Sequence, residues 1–125
     1  MVYLLDTHTL LWWFSDPNTL SDKARSIIEN PKNVIFISSV VTWEIVIKKS
    51  LDKLKIPNKF FELIKEGQFQ ELPIMIEHTQ ALASLPPHHN DPFDRLLVAQ
   101  AKSENGTILT RDRTIMKYDV KTIKA

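Results

Sequence analysis

Two short runs that are apolar at every position, Val2 to Leu5 and Val34 to Ile37, constrain this chain more than any other feature. Successive residues of a strand point to opposite faces, so a strand with no polar position must be covered on both sides. Each run is followed by helix signals. Asp6-Thr7 stops the first and opens residues 7–14, and Ser38-Ser39 stops the second and caps a helix running to about Lys49. Between them Ser15-Asp16-Pro17-Asn18 breaks the chain, and Ser21-Asp22 caps a helix over 23–29 with Pro31 as its stop. Further along, Pro57-Asn58 is expected to restart a helix carrying Phe60, Phe61 and Ile64 that ends at Gly67. Residues 69–74 form a third strand interrupted by Pro73. Residues 77–85 read as helix, Pro86-Pro87-His88-His89-Asn90 as a stiff polar loop, and Asp91-Pro92 as the opening of a helix over 93–103 closed by Asn105-Gly106. Residues 107–110 are a fourth strand, 111–117 a helical turn and 120–123 a fifth strand. Strands alternating with helices at this rhythm predict an α/β fold, a mostly parallel sheet of about five strands with helices on both faces.

A chain of 125 residues has room for one core, so residues 1–125 are expected to form a single domain. The absence of cysteine excludes disulfide scaffolds, thiolate metal sites and thiol nucleophiles, and it suits a cytoplasmic location. No apolar segment approaches the length that spans a bilayer, and the N-terminus lacks a basic region followed by an apolar run, so neither a membrane anchor nor a secretory signal is expected. Lys plus Arg is 16 against 15 for Asp plus Glu, so bulk charge does not announce a nucleic-acid binder and any such case rests on placed residues. Only Gly67 and Gly106 are present, which excludes a P-loop nucleotide site.

Ligands of parallel sheets gather outside the carboxyl ends of the strands. Asp6 directly follows the first strand and Asp112 closely follows the fourth, so both project from that rim, where either also suits a helix cap. Glu44 has Val40, Val41 and Ile47 as helical neighbours, which puts a carboxylate inside an apolar stripe, and Lys48 stands at the i,i+4 position able to pair with it. Asp94 precedes Leu97, Val98 and Ala101 on one face of its helix, with Asp91 as N-cap and Pro92 at the first position. If these acids converge, two charges about 5 Å apart at an effective dielectric near 20 repel by about 3 kcal/mol, and a cation is required to offset several such pairs. An all-oxygen set favours Mg²⁺ or Mn²⁺ over zinc. Adjacent histidines in a proline-stiffened loop rarely point at one ion, so His88 and His89 are assigned to substrate contact instead. Acids holding such an ion suit hydrolysis of a phosphodiester.

Four segments carry a resemblance. Leu4-Leu5-Asp6-Thr7-His8-Thr9-Leu10-Leu11-Trp12-Trp13, Ser39-Val40-Val41-Thr42-Trp43-Glu44-Ile45, His88-His89-Asn90-Asp91-Pro92-Phe93-Asp94-Arg95-Leu96-Leu97-Val98-Ala99-Gln100-Ala101 and Leu109-Thr110-Arg111-Asp112 occur in the order and separations of a known family. The chain resembles a PIN domain, and within that group the VapC toxins of bacterial and archaeal toxin–antitoxin pairs. The resemblance runs nearly end to end. It implies an endoribonuclease dependent on Mg²⁺ or Mn²⁺ that leaves a 5′-phosphate and a 3′-hydroxyl. Its metal-binding and catalytic acids map onto Asp6, Glu44, Asp94 and Asp112, with Thr7, Asp91 and Thr110 as caps or supports of those acids. Asp52 stands where the subgroup often has glycine, and Lys124-Ala125 closes the chain where an aromatic is common.

The resemblance also implies a VapB-type antitoxin partner, which would connect the protein to operator DNA only indirectly, and a homodimer. Leu10 to Phe14 and Trp43 supply large side chains for core packing or for such an interface. Lys48, Lys49, Arg95, Arg111 and Arg113 are candidates for RNA phosphate contact, with a solvated face or, for Arg95, an ion pair to an active-site acid as the alternative. Two other readings remain open at this point: a PIN-fold nuclease that processes RNA or DNA outside a toxin system, and an inactive PIN fold used as a binding module.

Overall fold

The computed structural model describes residues 1–125. Its strands are β1 (Val2–Leu5), β2 (Val34–Ser38), β3 (Gln70–Leu72), β4 (Thr107–Thr110) and β5 (Thr122–Lys124), and its helices are α1 (Thr7–Ser15), α2 (Asp22–Glu29), α3 (Ser39–Ser50), α4 (Phe60–Glu66), α5 (Ile76–Ala81) and α6 (Pro92–Ser103). The strands form one sheet in the order β3-β2-β1-β4-β5, and every pairing is parallel. The expected α/β architecture of five strands is therefore observed. β4 is buried at every position and β1 at its last three, so both faces of the central sheet are covered. Leu4, Leu5, Ile108 and Leu109 have no exposed surface, and Ile35 and Ile37 extend the same core.

The strand order sets the place of the site. From β1 the chain winds outward through β2 to β3, then returns to start again on the other side of β1 with β4 and β5. The reversal falls between β1 and β4, and the helices that follow these two strands diverge there and leave a crevice at the carboxyl ends. Leu5 pairs with Leu109, so the next residues, Asp6 and Thr110, stand side by side on that rim.

Element boundaries differ from expectation where the sequence signal is local. β3 stops at Leu72, before Pro73, which has no N–H to give a ladder. β5 begins two residues later than expected. The helix expected from Pro57 starts at Phe60, because Lys59 takes a left-handed backbone with φ 59°. The segment 77–85 divides into α5 and a 3₁₀ turn, Leu82–Ser84, and helical structure in 111–117 is confined to the 3₁₀ turn Ile115–Lys117. Asn105 has φ 52° and ends α6 as the left-handed signal predicts, while at Gly106 an added Cβ would lie 2.7 Å from Leu4 Cδ1. Asp52 also has φ 55°, which gives a backbone reason for glycine at this position in the resembling subgroup.

A buried polar network holds α6 in place. The Ser38 hydroxyl accepts from the amide of Val40 and donates to Gln100 on α6. The Gln100 amide donates in turn to the Pro73 carbonyl at 3.2 Å. Fully satisfied bonds of this kind fix the register of a helix against the sheet more sharply than apolar contact does.

Candidate active site

Asp6, Glu44, Asp91, Asp94 and Asp112 line one cleft of 390 Å³ at the carboxyl edge of the sheet. The four acids expected to converge come from four separate elements: the end of β1, the middle of α3, the first turn of α6 and the loop after β4. A larger groove of 530 Å³ lies elsewhere, against α3, α4 and β3, and its walls include Trp43, Val46, Phe61, Ile64 and Phe69. The smaller cleft is the candidate site because it is the one that concentrates ionisable groups.

Each acid is held by donors of its own neighbourhood. Asp6 is 7% exposed; one carboxylate oxygen accepts the Thr9 amide at 2.9 Å, which caps α1, and the other accepts the Thr110 hydroxyl. Burial pushes the Asp6 carboxyl above the usual carboxylate range despite those bonds. Glu44 is 5% exposed, as its apolar stripe predicts. Its Oε1 accepts from the Thr7 hydroxyl at 2.7 Å and its Oε2 from Lys48 Nζ at 2.5 Å, so the burial and the i,i+4 pair are both real. Lys48 is held above its ordinary value by that bond to Glu44, and its charge is engaged inside the cleft.

Asp91 caps α6 by accepting from the amides of Phe93 at 2.8 Å and Asp94 at 3.4 Å. Asp94 is pushed up to about 7 by burial and then by the Asp91 charge; His89 opposes the shift, and Glu44 and Asp112 add to it. Asp112 Oδ1 accepts from the amides of Thr114 and Ile115, and its own amide donates to the Thr110 hydroxyl at 2.9 Å. Burial raises its carboxyl, but the His89 hydrogen bond and those two amides outweigh it and hold the group below the usual range. Thr110 thus joins Asp6 to Asp112 through a single hydroxyl.

His89 enters the centre of the cluster, which adjacency to His88 did not lead us to expect. Its Nε2 lies 2.9 Å from Asp94 Oδ2 and 3.2 Å from Asp112 Oδ2. One ligand atom from each of these three residues falls within 4.8 Å of the others. His88 points away and packs edge-on against Tyr118, with 5.0 Å between ring centroids. The stiff loop therefore separates the two rings, as anticipated for adjacent histidines.

The basic residues divide. Arg95 donates to the carbonyls of Pro86, Leu82 and Leu85 and to the Tyr118 hydroxyl, so it braces the loop that carries His89 and makes no ion pair with an active-site acid. Arg111 reaches the carbonyls of Ala125 and Thr19 and lies 4.6 Å from the centroid of the Trp12 ring. Lys49 and Arg113 are exposed. His8 and Trp12 also line the cleft and were not singled out as site residues in the sequence, where Trp12 was read as core or interface. The i,i+4 spacing that sets Trp12 one turn beyond His8 is the signal the sequence carries, and in the structure their rings lie 5.8 Å apart.

Five carboxylates share this cleft with the cations of Lys48 and Arg111. Oxygen donors in that surplus fit a hard divalent cation, and the two imidazoles among them, His8 and His89, do not change the preference.

A family model for the PIN domain matches residues 3–121. The chain belongs to the PIN domain family. This PIN domain is similar in fold to VapBC2 from Rickettsia felis bound to a DNA fragment from their promoter, with a TM-score of 0.75, 19% identity and 98% of each chain covered. It is likewise similar to FitAcB from Neisseria gonorrhoeae, with a TM-score of 0.68, 17% identity and coverage of 99% of this chain and 97% of that one. DNA-bound VapBC from Salmonella typhimurium gives 0.69 at 14% identity, over 98% and 97% of the two chains. No protein of curated function matches the sequence significantly. No helix of this PIN domain is long and apolar enough to cross a membrane.

Proposed function

We propose that this PIN domain is a metal-dependent endoribonuclease, the toxin of a VapBC-type pair, with Mg²⁺ or Mn²⁺ held by Asp6, Glu44, Asp94 and Asp112. The observation that carries the reading is the convergence of these acids from four elements into one cleft at the reversal of strand order. A bound divalent ion supplies a water of lowered pKa and neutralises charge on the phosphate and the leaving oxygen. The chain's own groups do the rest. Thr7 and Thr110 fix the rotamers of Glu44 and Asp6, so that donors face the cleft before the substrate arrives. Asp91 keeps the first turn of α6, and with it Asp94, at a set distance from the sheet. Lys48 sits in the cleft wall where its ammonium, shared with Glu44, offsets a phosphate. Trp12 is the one large apolar surface of that cleft and offers a face for an unpaired base. Arg113 and Lys49 remain as exposed cations for the RNA backbone, and His88, exposed and edge-on to Tyr118, stands outside the cleft.

The toxin assignment draws support from the full-length likeness to VapBC and FitAB complexes, some of which contain DNA. It implies a VapB-type antitoxin in the same cell, contact with operator DNA only through that antitoxin, a cytoplasmic site of action and a homodimer. The apolar groove beside β3, with Trp43 and Val46 each about half exposed, suits a partner that buries apolar residues.

The test is cleavage of a fluorescent single-stranded RNA by protein freed of any antitoxin, with Mg²⁺, with chelator, and with Asp94→Asn purified identically. Cutting that needs the metal and is lost in the variant supports the nuclease. Cutting that persists in the variant would trace to a contaminant and remove the support. Growth arrest on expression, relieved by co-expression of the neighbouring small reading frame, tests the toxin role separately.

A further inference from the structure

The imidazole at the heart of the cleft has a fixed tautomer. Nδ1 of His89 accepts a hydrogen bond from the backbone amide of Asp91 at 3.1 Å, so the ring proton belongs to Nε2. That N–H donates to Asp112 Oδ2 at 3.2 Å, and Nε2 lies 2.9 Å from Asp94 Oδ2. The loop beneath it is braced: the His89 amide donates to the Tyr118 hydroxyl at 2.9 Å, and Arg95 donates to the same hydroxyl and to the loop carbonyl of Pro86.

We propose that His89 competes with the divalent ion for Asp112, its Nε2–H donating to that carboxylate beside Asp94 in the ion's absence and yielding it when the ion binds. This rests on the metal-dependent reading above and adds to it a residue that sets how tightly the ion is held. An ion held by Asp94 and Asp112 would draw on the same carboxylates that Nε2 now approaches. A ligand imidazole would offer a lone pair there, whereas the Asp91 amide holds the lone pair at the other nitrogen. Binding of the ion would therefore cost the hydrogen bond from Nε2 to Asp112. In the metal-free protein that bond holds the Asp112 carboxylate beside Asp94, so the cleft stays assembled without the ion.

The experiment is calorimetric titration with Mn²⁺ alone at pH 7.5 of the whole chain, wild type, His89→Ala and His89→Gln, with thermal melts of each in chelator. His89→Ala is expected to melt lower than wild type without metal and to bind Mn²⁺ about three- to tenfold more tightly, the worth of a hydrogen bond that the ion no longer displaces. His89→Gln, whose side-chain amide reaches the same place, is expected to stay near wild type in both measurements. Weaker Mn²⁺ binding by His89→Ala would make His89 a ligand and overturn the proposal, and so would an affinity that does not change. A Gln variant that behaves like the Ala variant would assign the effect to ring volume and overturn the donor role. Failure of wild type and variants alike to take up Mn²⁺ would bring down the metal-dependent reading and this inference with it, an outcome distinct from binding that ignores His89.

Discussion

At the scale of single residues the cleft is a problem of uncompensated charge, and two side chains show it most directly. Asp94 has a carboxyl pushed up to about 7 in the folded protein, against an ordinary value of 3.8. Between those values the folded chain keeps a proton that the unfolded chain has lost, so its contribution to stability is complete below about pH 4 and is lost as pH rises through 7. Asp94→Asn carries no such proton. It is expected to raise the melting temperature of the metal-free protein at pH 8 by on the order of 5 °C, the effect of about 1 to 2 kcal/mol in a domain of this size, and to change it little at pH 4. Melts in chelator at the two pH values check this; a lower melting temperature at pH 8 would make Asp94 a structural support. Lys48 acts in the opposite sense. Removing it as Lys48→Met leaves a Glu44 carboxylate that is 5% exposed with only the Thr7 hydroxyl as donor. Because the Lys48 side chain is itself 40% exposed, the expected loss is about 1 to 2 kcal/mol rather than the larger cost of a fully buried pair, read from urea unfolding without metal.

At the scale of elements, the same residues that cap helices also build the site. Asp6 caps α1 and Asp91 caps α6, while Asp112 closes the turn after β4. Asp91→Ala is expected to cost about 1 kcal/mol by freeing the amides at the start of α6, and Asp91→Asn, which keeps an acceptor oxygen, to cost almost nothing. Urea unfolding at pH 7 separates the two, and equal losses would locate the role of Asp91 in its charge. This double duty explains what could be read in advance. Asp6 and Asp112 were legible because strand ends fix the rim, and Glu44 and Asp94 because a carboxylate within an apolar helical stripe is costly unless it has a partner. Two strong core strands and their helices follow from apolar period alone. The ends of β3 and β5, by contrast, depend on pairing with β2 and β4, partners distant in the chain. The entry of the His89 and Trp12 rings into the cleft was less legible for the same reason: it depends on the Tyr118 and Arg95 brace and on the packing of α1, while Trp12 also packs on the core as expected.

At the scale of the whole molecule the charge is nearly balanced, with a formal net of +1, yet it is unevenly distributed. The topology brings five acids and two cations to one edge of the sheet, in the crevice that the reversal between β1 and β4 opens. Folding therefore carries a local electrostatic cost that grows as Asp94 ionises, and an ion that binds the folded chain alone removes it. An ion held by Asp94, as proposed, would also displace its proton, so its uptake would be linked to pH. Millimolar Mn²⁺ is expected to raise the melting temperature at pH 8 and to do so far less at pH 5.5, where Asp94 holds its proton against the ion. At a concentration about 100 times the dissociation constant the stabilisation is about 2.7 kcal/mol. Potassium chloride at matched ionic strength is expected to reproduce little of this, because screening acts on exposed charges and these groups are largely enclosed. Melts with Mn²⁺, with chelator and with potassium chloride at both pH values make the comparison. Equal stabilisation by Mn²⁺ at pH 5.5 and pH 8 would place the ion away from Asp94, and equal stabilisation by potassium chloride would mean that the cleft asks for screening and not for a bound cation.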